Sequence, residues 1–374
     1  MFGPVRVVLA LRKNPQLGSL GAIVAVSALF AATPFVIPAV ALEYSVSIGR
    51  SGLLSAAQVG GFALAAFLAG RHLRTHRAYL IGGALATSAL NLLSAFAPTF
   101  EILLVLRVLA GGAAGLLVWL AWSKAMQSSG ALRDVASAGP VTVLVSAPIL
   151  AYAAAEGGPS AVYILLAVIS LPPAVLPADY VGYRTKRLGL SPSRSNVVLL
   201  FALGMGTLAG SSLFVFGGAI GIEVGLSTFV VSLGFSGNAL AGLIAARRTA
   251  GDRPEAIWIL GTAVCAALVA FGGNAVLFLV GLTLWGFFFW MATPTILRSI
   301  ASWSLAPDER VGDAQSSMAL GRALGPAIGS VLVAEGSYGA VGAMAVVGLL
   351  VSAFTVLGVG IYRRDRLPPH ERDV

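Results

Sequence analysis

The sequence predicts an all-α polytopic membrane protein, with twelve transmembrane helices in two six-helix halves and both termini in the cytoplasm. Three observations predict it. The 374 residues are 57% hydrophobic and only 10% charged, with mean hydropathy +0.90, where a soluble domain carries about 25% charged residues. Apolar runs of about 20 residues recur along the chain, each long enough to cross roughly 30 Å of hydrocarbon as a helix. When successive turns are assigned to opposite sides, 21 of the 24 Lys and Arg residues fall on one side, the asymmetry that marks a cytoplasmic face.

The spans read, in order, 18–42, 51–70, 78–97, 102–123, 135–155, 160–180, 196–221, 225–246, 256–273, 275–297, 312–334 and 338–361. The first follows Arg6, Arg12 and Lys13, but it is of spanning length and leads straight into a second helix, so it reads as a span and not as a cleavable signal. Arg71, Arg74 and Arg77 follow the second span, and Lys124 and Arg133 follow the fourth. Arg184, Lys186, Arg187 and Arg194 follow the sixth, and Arg247, Arg248 and Arg253 the eighth. Arg298 and Arg310 follow the tenth, and Arg363, Arg364, Arg366 and Arg372 the twelfth. The other side carries Arg50 and the acids Glu43, Glu101, Glu156, Glu223 and Glu335. A wrong span count would exchange the sides midway and destroy this pattern. The ninth and tenth spans are separated only by Gly272, Gly273 and Asn274. Helices suit lipid because each satisfies its own backbone, and the 45 Gly allow neighbouring helices to approach closely.

The net charge of +9 reads as a topology signal facing anionic lipid headgroups, with no nucleic-acid partner implied. Cys265, the single cysteine, sits in an apolar span and reads as core packing. No metal-ligand spacing, paired carboxylates or nucleophile–base set lies within the spans, so no enzyme, metal or cofactor is expected. No soluble ATPase domain fits between the spans either. The energy source would then be an ion gradient, with protons as the first expectation.

The chain divides into a cytoplasmic segment 1–17, a half 18–180, a basic linker 181–195, a half 196–361 and a tail 362–374. The halves echo each other at an offset of about 176–178 residues: Gly70-Arg71 matches Ala246-Arg247, and Pro148 matches Pro326. Two six-helix halves related by an axis along the membrane normal are a known plan for secondary transporters, with substrate held between them near the midplane.

Three segments carry a family resemblance: TPFVIPAVALEYSVSIGRSGLLSAAQVGGFALAAFLAG (33–70), LRVLAGGAAG (106–115) and AQSSMALGRALGPAIGS (314–330). Over nearly its full length the chain resembles the major facilitator superfamily, and within it the drug and metabolite exporters, including sugar- and arabinose-efflux permeases. Arg107, Gly111 and Gly115 are similar to the family's Arg-x-x-x-Gly pattern on the fourth helix. Gly321, Gly325, Pro326 and Gly329 are similar to the exporter motif, here on the eleventh helix. The resemblance implies alternating access, export, proton antiport, a monomer and a bacterial inner membrane. It assigns Arg107 to proton coupling or charge relay, and Arg71 and Arg74 to a cytoplasmic latch between halves. Two departures stand out. Gly70 occupies the place of the latch acid, and the fifth helix keeps only Ser146, Ala147 and Pro148 of the exporter motif.

Charges within the bilayer are costly and mark functional sites. Arg107 and Arg322 are the two here. Arg107 could face a cavity or be a structural cation bonded to carbonyls; Arg322 could face the cavity or snorkel to the surface. No carboxylate or histidine lies near the centre of any span. Protons would then bind at Glu43 or Glu223 near the outer mouth, or travel on the substrate, or play no part. Two arginines without carboxylates favour an anionic or neutral polar substrate over a lipophilic cation. The other cavity candidates are Thr33, Gln58, Trp119, Tyr152, Asn238, Trp285 and Gln315, polar or aromatic residues that a cavity would accommodate. The alternative for each is helix–helix hydrogen bonding or lipid contact.

Overall fold

The computed structural model describes residues 17–125, 129–180, 191–248, 254–333 and 338–364. The segment 1–16, most of the linker 181–195 and the tail beyond 364 lie outside the described residues, with Arg6, Arg12, Lys13, Arg184, Lys186, Arg187, Arg253, Glu335, Arg366 and Arg372.

The described residues form helices and no strand. In chain order these are α1 Leu17–Ala31, α2 Thr33–Glu43, α3 Ile48–His72, α4 Arg77–Ser94, α5 Phe100–Ala125, α6 Ser129–Ile169 and α7 Pro172–Val175. They continue as α8 Arg194–Phe214, α9 Gly217–Glu223, α10 Thr228–Ala246, α11 Glu255–Phe271, α12 Ala275–Ser302, α13 Pro307–Val333 and α14 Tyr338–Arg364. Among them, 8 are long and apolar enough to cross a membrane, or 9 when α1 and α2 count as one bent span. The protein is therefore a multi-pass helical membrane protein.

The first predicted span is broken. α1 and α2 meet at 48°, because Pro34 occupies the first turn of α2 and supplies no N–H to the turn before it. Pro38, one turn on, likewise leaves the Pro34 carbonyl without its helical partner. The seventh span is interrupted between α8 and α9 at Val215–Phe216. The fifth and sixth spans run together as the 41-residue α6, about 61 Å of helix at 1.5 Å per residue and twice a bilayer core. It turns back on itself at Gly158, whose φ of +63° falls in the left-handed region. Gly139 lies against Ser27, Gly158 against Glu43, and the Gly18 N–H donates to the Pro177 carbonyl at 2.9 Å. The chain thus climbs beside α1–α2 to Gly158 and returns along them. At the junction of α11 and α12, Gly273 has φ +67° and Asn274 caps α12 by accepting from the Leu277 N–H at 3.0 Å.

Glycines set the tightest helix contacts. On α5, Gly111 meets the Gln58 carbonyl and Gly115 the Phe62 carbonyl, while Gly61 of α3 meets the Val108 carbonyl. On α13, Gly321, Gly325 and Gly329 face the carbonyls of Gly204, Leu208 and Ser212 on α8. These are the two glycine patterns noted in the sequence, and each serves close packing inside one group of helices. Between lipid-immersed helices such contacts carry van der Waals attraction that larger side chains would forbid.

The ends of the helices separate the charges. Glu43, Glu101, Glu156 and Glu223 lie at one end, where Tyr44 Oη donates to the Ala97 carbonyl at 2.8 Å and Ser160 Oγ to the Ala95 carbonyl at 2.7 Å. Arg50, the basic exception on that side, pairs with Glu101 at 2.6 Å. At the opposite, basic end, Arg363 donates to the Ser299 carbonyl at 2.9 Å and to Asn196 Oδ1 at 2.7 Å, with its guanidinium 5.0 Å from the Trp303 ring.

A Cβ at Gly111 would run into the α3 backbone, so Gly111→Val is expected to destabilise the protein by at least about 1–3 kcal/mol, read as a lower melting temperature in detergent. Gly60→Ala, with open space around its Cβ, is the control and should lose nothing.

Candidate functional site

Helices α1–α7 pack among themselves, as do α8–α14, and the two groups meet along α3–α13, α6–α10 and α2–α9. Near the glutamate end the meeting is close. Gly52 lies against Phe216 and Ser330, and Gly218 sits on the Pro34 carbonyl that Pro38 leaves free. Ser236 Oγ donates across to the Leu144 carbonyl at 2.9 Å. A chain of edge-to-face rings crosses the same level: Phe35 to Phe235 at 5.6 Å, Phe235 to Phe214 at 5.2 Å, Phe214 to Trp285 at 5.6 Å. On the glutamate side of this seal opens a vestibule of about 410 Å³ between the groups, lined by Ser47, Glu223 and Tyr338 among others.

Toward the basic end the crevice is accessible. On α13, Leu320, Leu324, Ile328 and Val331 form one exposed apolar stripe, the surface expected to face lipid. At about 100° per residue, Arg322 and Gln315 lie within about 20° of each other on the opposite face. That face is buried at Pro326, Ser330 and Val333 but exposed at Arg322 and Gln315. The α3 face carrying Gly52 shows the same gradient: Gly52 and Val59 are buried, Ala63 and Ala66 half-buried, Gly70 exposed. Arg322 stands fifteen residues into the 27-residue α13, deep within the protein envelope, and makes no hydrogen bond or ion pair among the described residues. It is an exposed cation near the middle of α13, on the face opposite that helix's apolar stripe.

Arg107 is placed otherwise. It is 1% exposed, and α4 binds it: Asn91 Oδ1 accepts at 2.9 Å, the Leu90 carbonyl at 3.2 Å, and Ser94 Oγ accepts as well. Its guanidinium lies 4.5 Å from the centre of the Tyr163 ring, a contact of about 2 kcal/mol when desolvated. These contacts offset much of the cost of burying the charge and tie α4, α5 and the returning limb of α6 together. Thr33 and Gln58 join Arg107 around a small cavity of about 20 Å³ at the bend between α1 and α2.

The remaining candidates disperse. Trp119 packs over Gly70 near the basic end. Tyr152 is 65% exposed on an apolar stripe with Val141, Val145 and Ile149, away from the crevice. Asn238 donates to the Leu282 carbonyl at 2.7 Å and so joins α10 to α12. Trp285 is buried against Phe214 and Gly210. Arg71 covers the Phe67 ring at 4.0 Å and Arg74 is exposed. Pro148 lies on the climbing limb of α6. The residues absent from the sequence reading are the ring chain Phe35, Phe235 and Phe214 and the glycine Gly218. Only the Pro34/Pro38 pair flanking Phe35 and Val36 hinted at them.

The accessibility gradient is open to direct measurement. Arg322→Cys and Gln315→Cys should react with a charged, membrane-impermeant thiol reagent, and Ser330→Cys should not; native Cys265, 1% exposed, adds little background. An inert Arg322→Cys beside a reactive Ser330→Cys would place the opening at the wrong end.

No protein-family profile and no curated protein sequence matches the chain. Solved structures do. The chain is similar to a bacterial homologue of the human lysosomal transporter Spinster in an inward-facing, occupied conformation, with TM-score 0.73 and 14% identity over 98% of this chain and 99% of that one. The same homologue in its unoccupied inward-facing conformation gives TM-score 0.69 at 14% identity over 95% and 98%. The nucleoside transporter NupG gives TM-score 0.70 at 12% identity over 92% of this chain and 100% of that one. These neighbours are membrane transporters and not enzymes. The chain carries the fold of major-facilitator-type transporters, and none of the three is described as an arabinose-efflux permease.

Proposed function

We propose that the chain is a secondary transporter of small molecules that crosses a bacterial inner membrane twelve times, with halves 18–180 and 196–361 and both termini cytoplasmic. The observation that carries this reading is the crevice between the helix groups, sealed near the glutamate end and accessible toward the basic end, with exposed Arg322 at mid-membrane. Alternating access would follow from rocking one group against the other across the glycine and ring contacts, so that the seal and the opening exchange ends. The seal is made of backbone and rings, surfaces that part without breaking an ion pair. The basic excess beside the opening supports a cytoplasmic assignment for that end. The bent pair α1–α2, the less apolar α4, the second limb of α6 beyond Gly158 and the shorter α11 supply the four crossings beyond the eight helices that qualify by length and apolarity. A monomer suffices, because the crevice is complete within one chain.

Export by proton antiport is the direction and coupling that the sequence resemblance favours. Glu223 in the vestibule is the carboxylate best placed to meet external protons. Arg322 favours a second reading, uptake or uniport of a small organic anion. A cation facing an accessible crevice near mid-membrane, with no protein partner among the described residues, is a ready counter-charge for an anionic group. Arg107, held by Asn91, Leu90 and Ser94, is placed to stiffen the first helix group and not to meet substrate.

Proteoliposomes containing the purified protein decide between the readings. Internal pH and radiolabelled flux are followed while drugs, sugars and organic anions are added outside. Proton movement opposite in direction to substrate flux establishes antiport, whereas flux of an anion with no pH change establishes uniport. Losing one charged hydrogen-bond donor costs about 1.5–3 kcal/mol. Arg322→Gln should therefore cut anion transport roughly 10- to 100-fold, while Tyr152→Ala, on the exposed stripe, should leave it unchanged.

A further inference from the structure

The cavity beside Arg107 has a chemistry that transport through the central crevice does not use. It is lined by five polar side chains, Thr33, Ser55, Gln58, Arg107 and Tyr163, set among Leu29, Ala32, Val36, Ile37, Leu54 and Leu166. All five have unmet hydrogen-bonding capacity. Arg107 Nε and Tyr163 Oη are buried with no partner. The side chains of Thr33, Ser55 and Gln58 make no hydrogen bond among the described residues. Ser55 and Gln58 are each 5% exposed, Tyr163 3% and Arg107 1%, so bulk solvent does not relieve these four, while Thr33 is half-buried. Buried donors of this kind are costly unless something in the cavity accepts from them.

Charge selects the occupant. Arg107 brings a full positive charge, and no carboxylate among the described residues pairs with it. Its hydrogen-bond acceptors are a neutral amide, a backbone carbonyl and a hydroxyl. The neighbouring acid, Glu43, lies at Gly158, five residues from Tyr163 and about 7 Å of helical rise farther toward the membrane surface. The span that could have supplied a counter-charge at this depth has Ala32, Thr33 and Pro34 instead. A cation is excluded by Arg107. A volume of about 20 Å³ exceeds the roughly 10–15 Å³ that one water-sized sphere needs and excludes polyatomic metabolites.

We propose that this cavity binds a single-atom monovalent anion, a halide, which takes the place of the missing carboxylate as counter-ion to Arg107. The ion would accept from Arg107 Nε–H, Tyr163 O–H, the Gln58 amide and the Thr33 and Ser55 hydroxyls. Thr33 belongs to α2 at the bend, Gln58 and Ser55 to α3, Arg107 to α5 and Tyr163 to the returning limb of α6. Occupancy would therefore fasten the bent helix to three others, and halide would stabilise the first helix group whatever substrate the transporter carries.

The test uses the full-length purified protein in detergent, with chloride, bromide or gluconate as sodium salts at equal ionic strength. Chloride and bromide should raise the melting temperature saturably by several degrees over gluconate, as binding to the folded state alone requires. Gln58→Leu and Tyr163→Phe remove donors that hold no other part of the protein, so they should fold and lose most of the halide response. Bromide-soaked crystals should show an anomalous peak within the Thr33–Gln58–Arg107–Tyr163 cavity. Equal melting in chloride and gluconate would overturn the proposal, because water would then be the occupant. A full halide response in both variants would overturn it too, placing the ion elsewhere. A response to acetate matching that to chloride would show a site for a carboxylate group and not for a halide.

Discussion

A helix surrounded by hydrocarbon gains little by hiding apolar side chains from a solvent that is itself apolar, so what holds this bundle is backbone laid against backbone. Gly111, Gly115 and Gly61 bring α5 onto α3, and Gly321, Gly325 and Gly329 bring α13 onto α8. At each crossing a glycine meets a carbonyl of the other helix. The remaining architecture is arranged around these seams. They leave α3 and α13 stiff enough to present opposing faces, and it is along those faces that the crevice shuts at Ser330 and opens at Arg322.

The two arginines within the membrane show how differently one charge can be accommodated. Arg107 is held by three acceptors on α4 and by the Tyr163 ring, which makes it part of the scaffold. Arg322 has none of these among the described residues and is exposed on its helix face. Residue type and depth alone do not separate the two cases; the difference lies in what neighbouring helices bring within reach.

Much of the fold was legible in the amino-acid order because it rests on one-dimensional signals. Apolar run length marked the helices, the bias of basic residues marked their ends, and glycine spacing marked the seams. The break at Pro34 was less legible, since the 18–42 run is uniformly apolar and a proline can kink a span without dividing it. Gly158 stood between two predicted spans, and its helical neighbours on both sides make α6 continuous except at that one residue. The candidate site was harder to see. Tyr152 and Gln315 look equally polar in the sequence, yet one lies on the exposed apolar face of α6 and the other beside the crevice, a distinction that depends on helix rotation. Phe35 and Phe235 carry no polar atom, so nothing distinguished them from rings that touch lipid until their distance was known.

The seal near the glutamate end has a consequence for how the protein would respond to its surroundings. Its parts are the Pro34 carbonyl under Gly218, the rings of Phe35 and Phe235, and the hydroxyl of Ser236 on a carbonyl. None of these groups titrates in the physiological range, and none carries a net charge for salt to screen. The contacts of the closed gate are thus themselves indifferent to acidity and ionic strength. Acidity would reach it only through a neighbour such as Glu223 in the vestibule, whereas heat and lipid composition act directly on the packing that sets how often it parts.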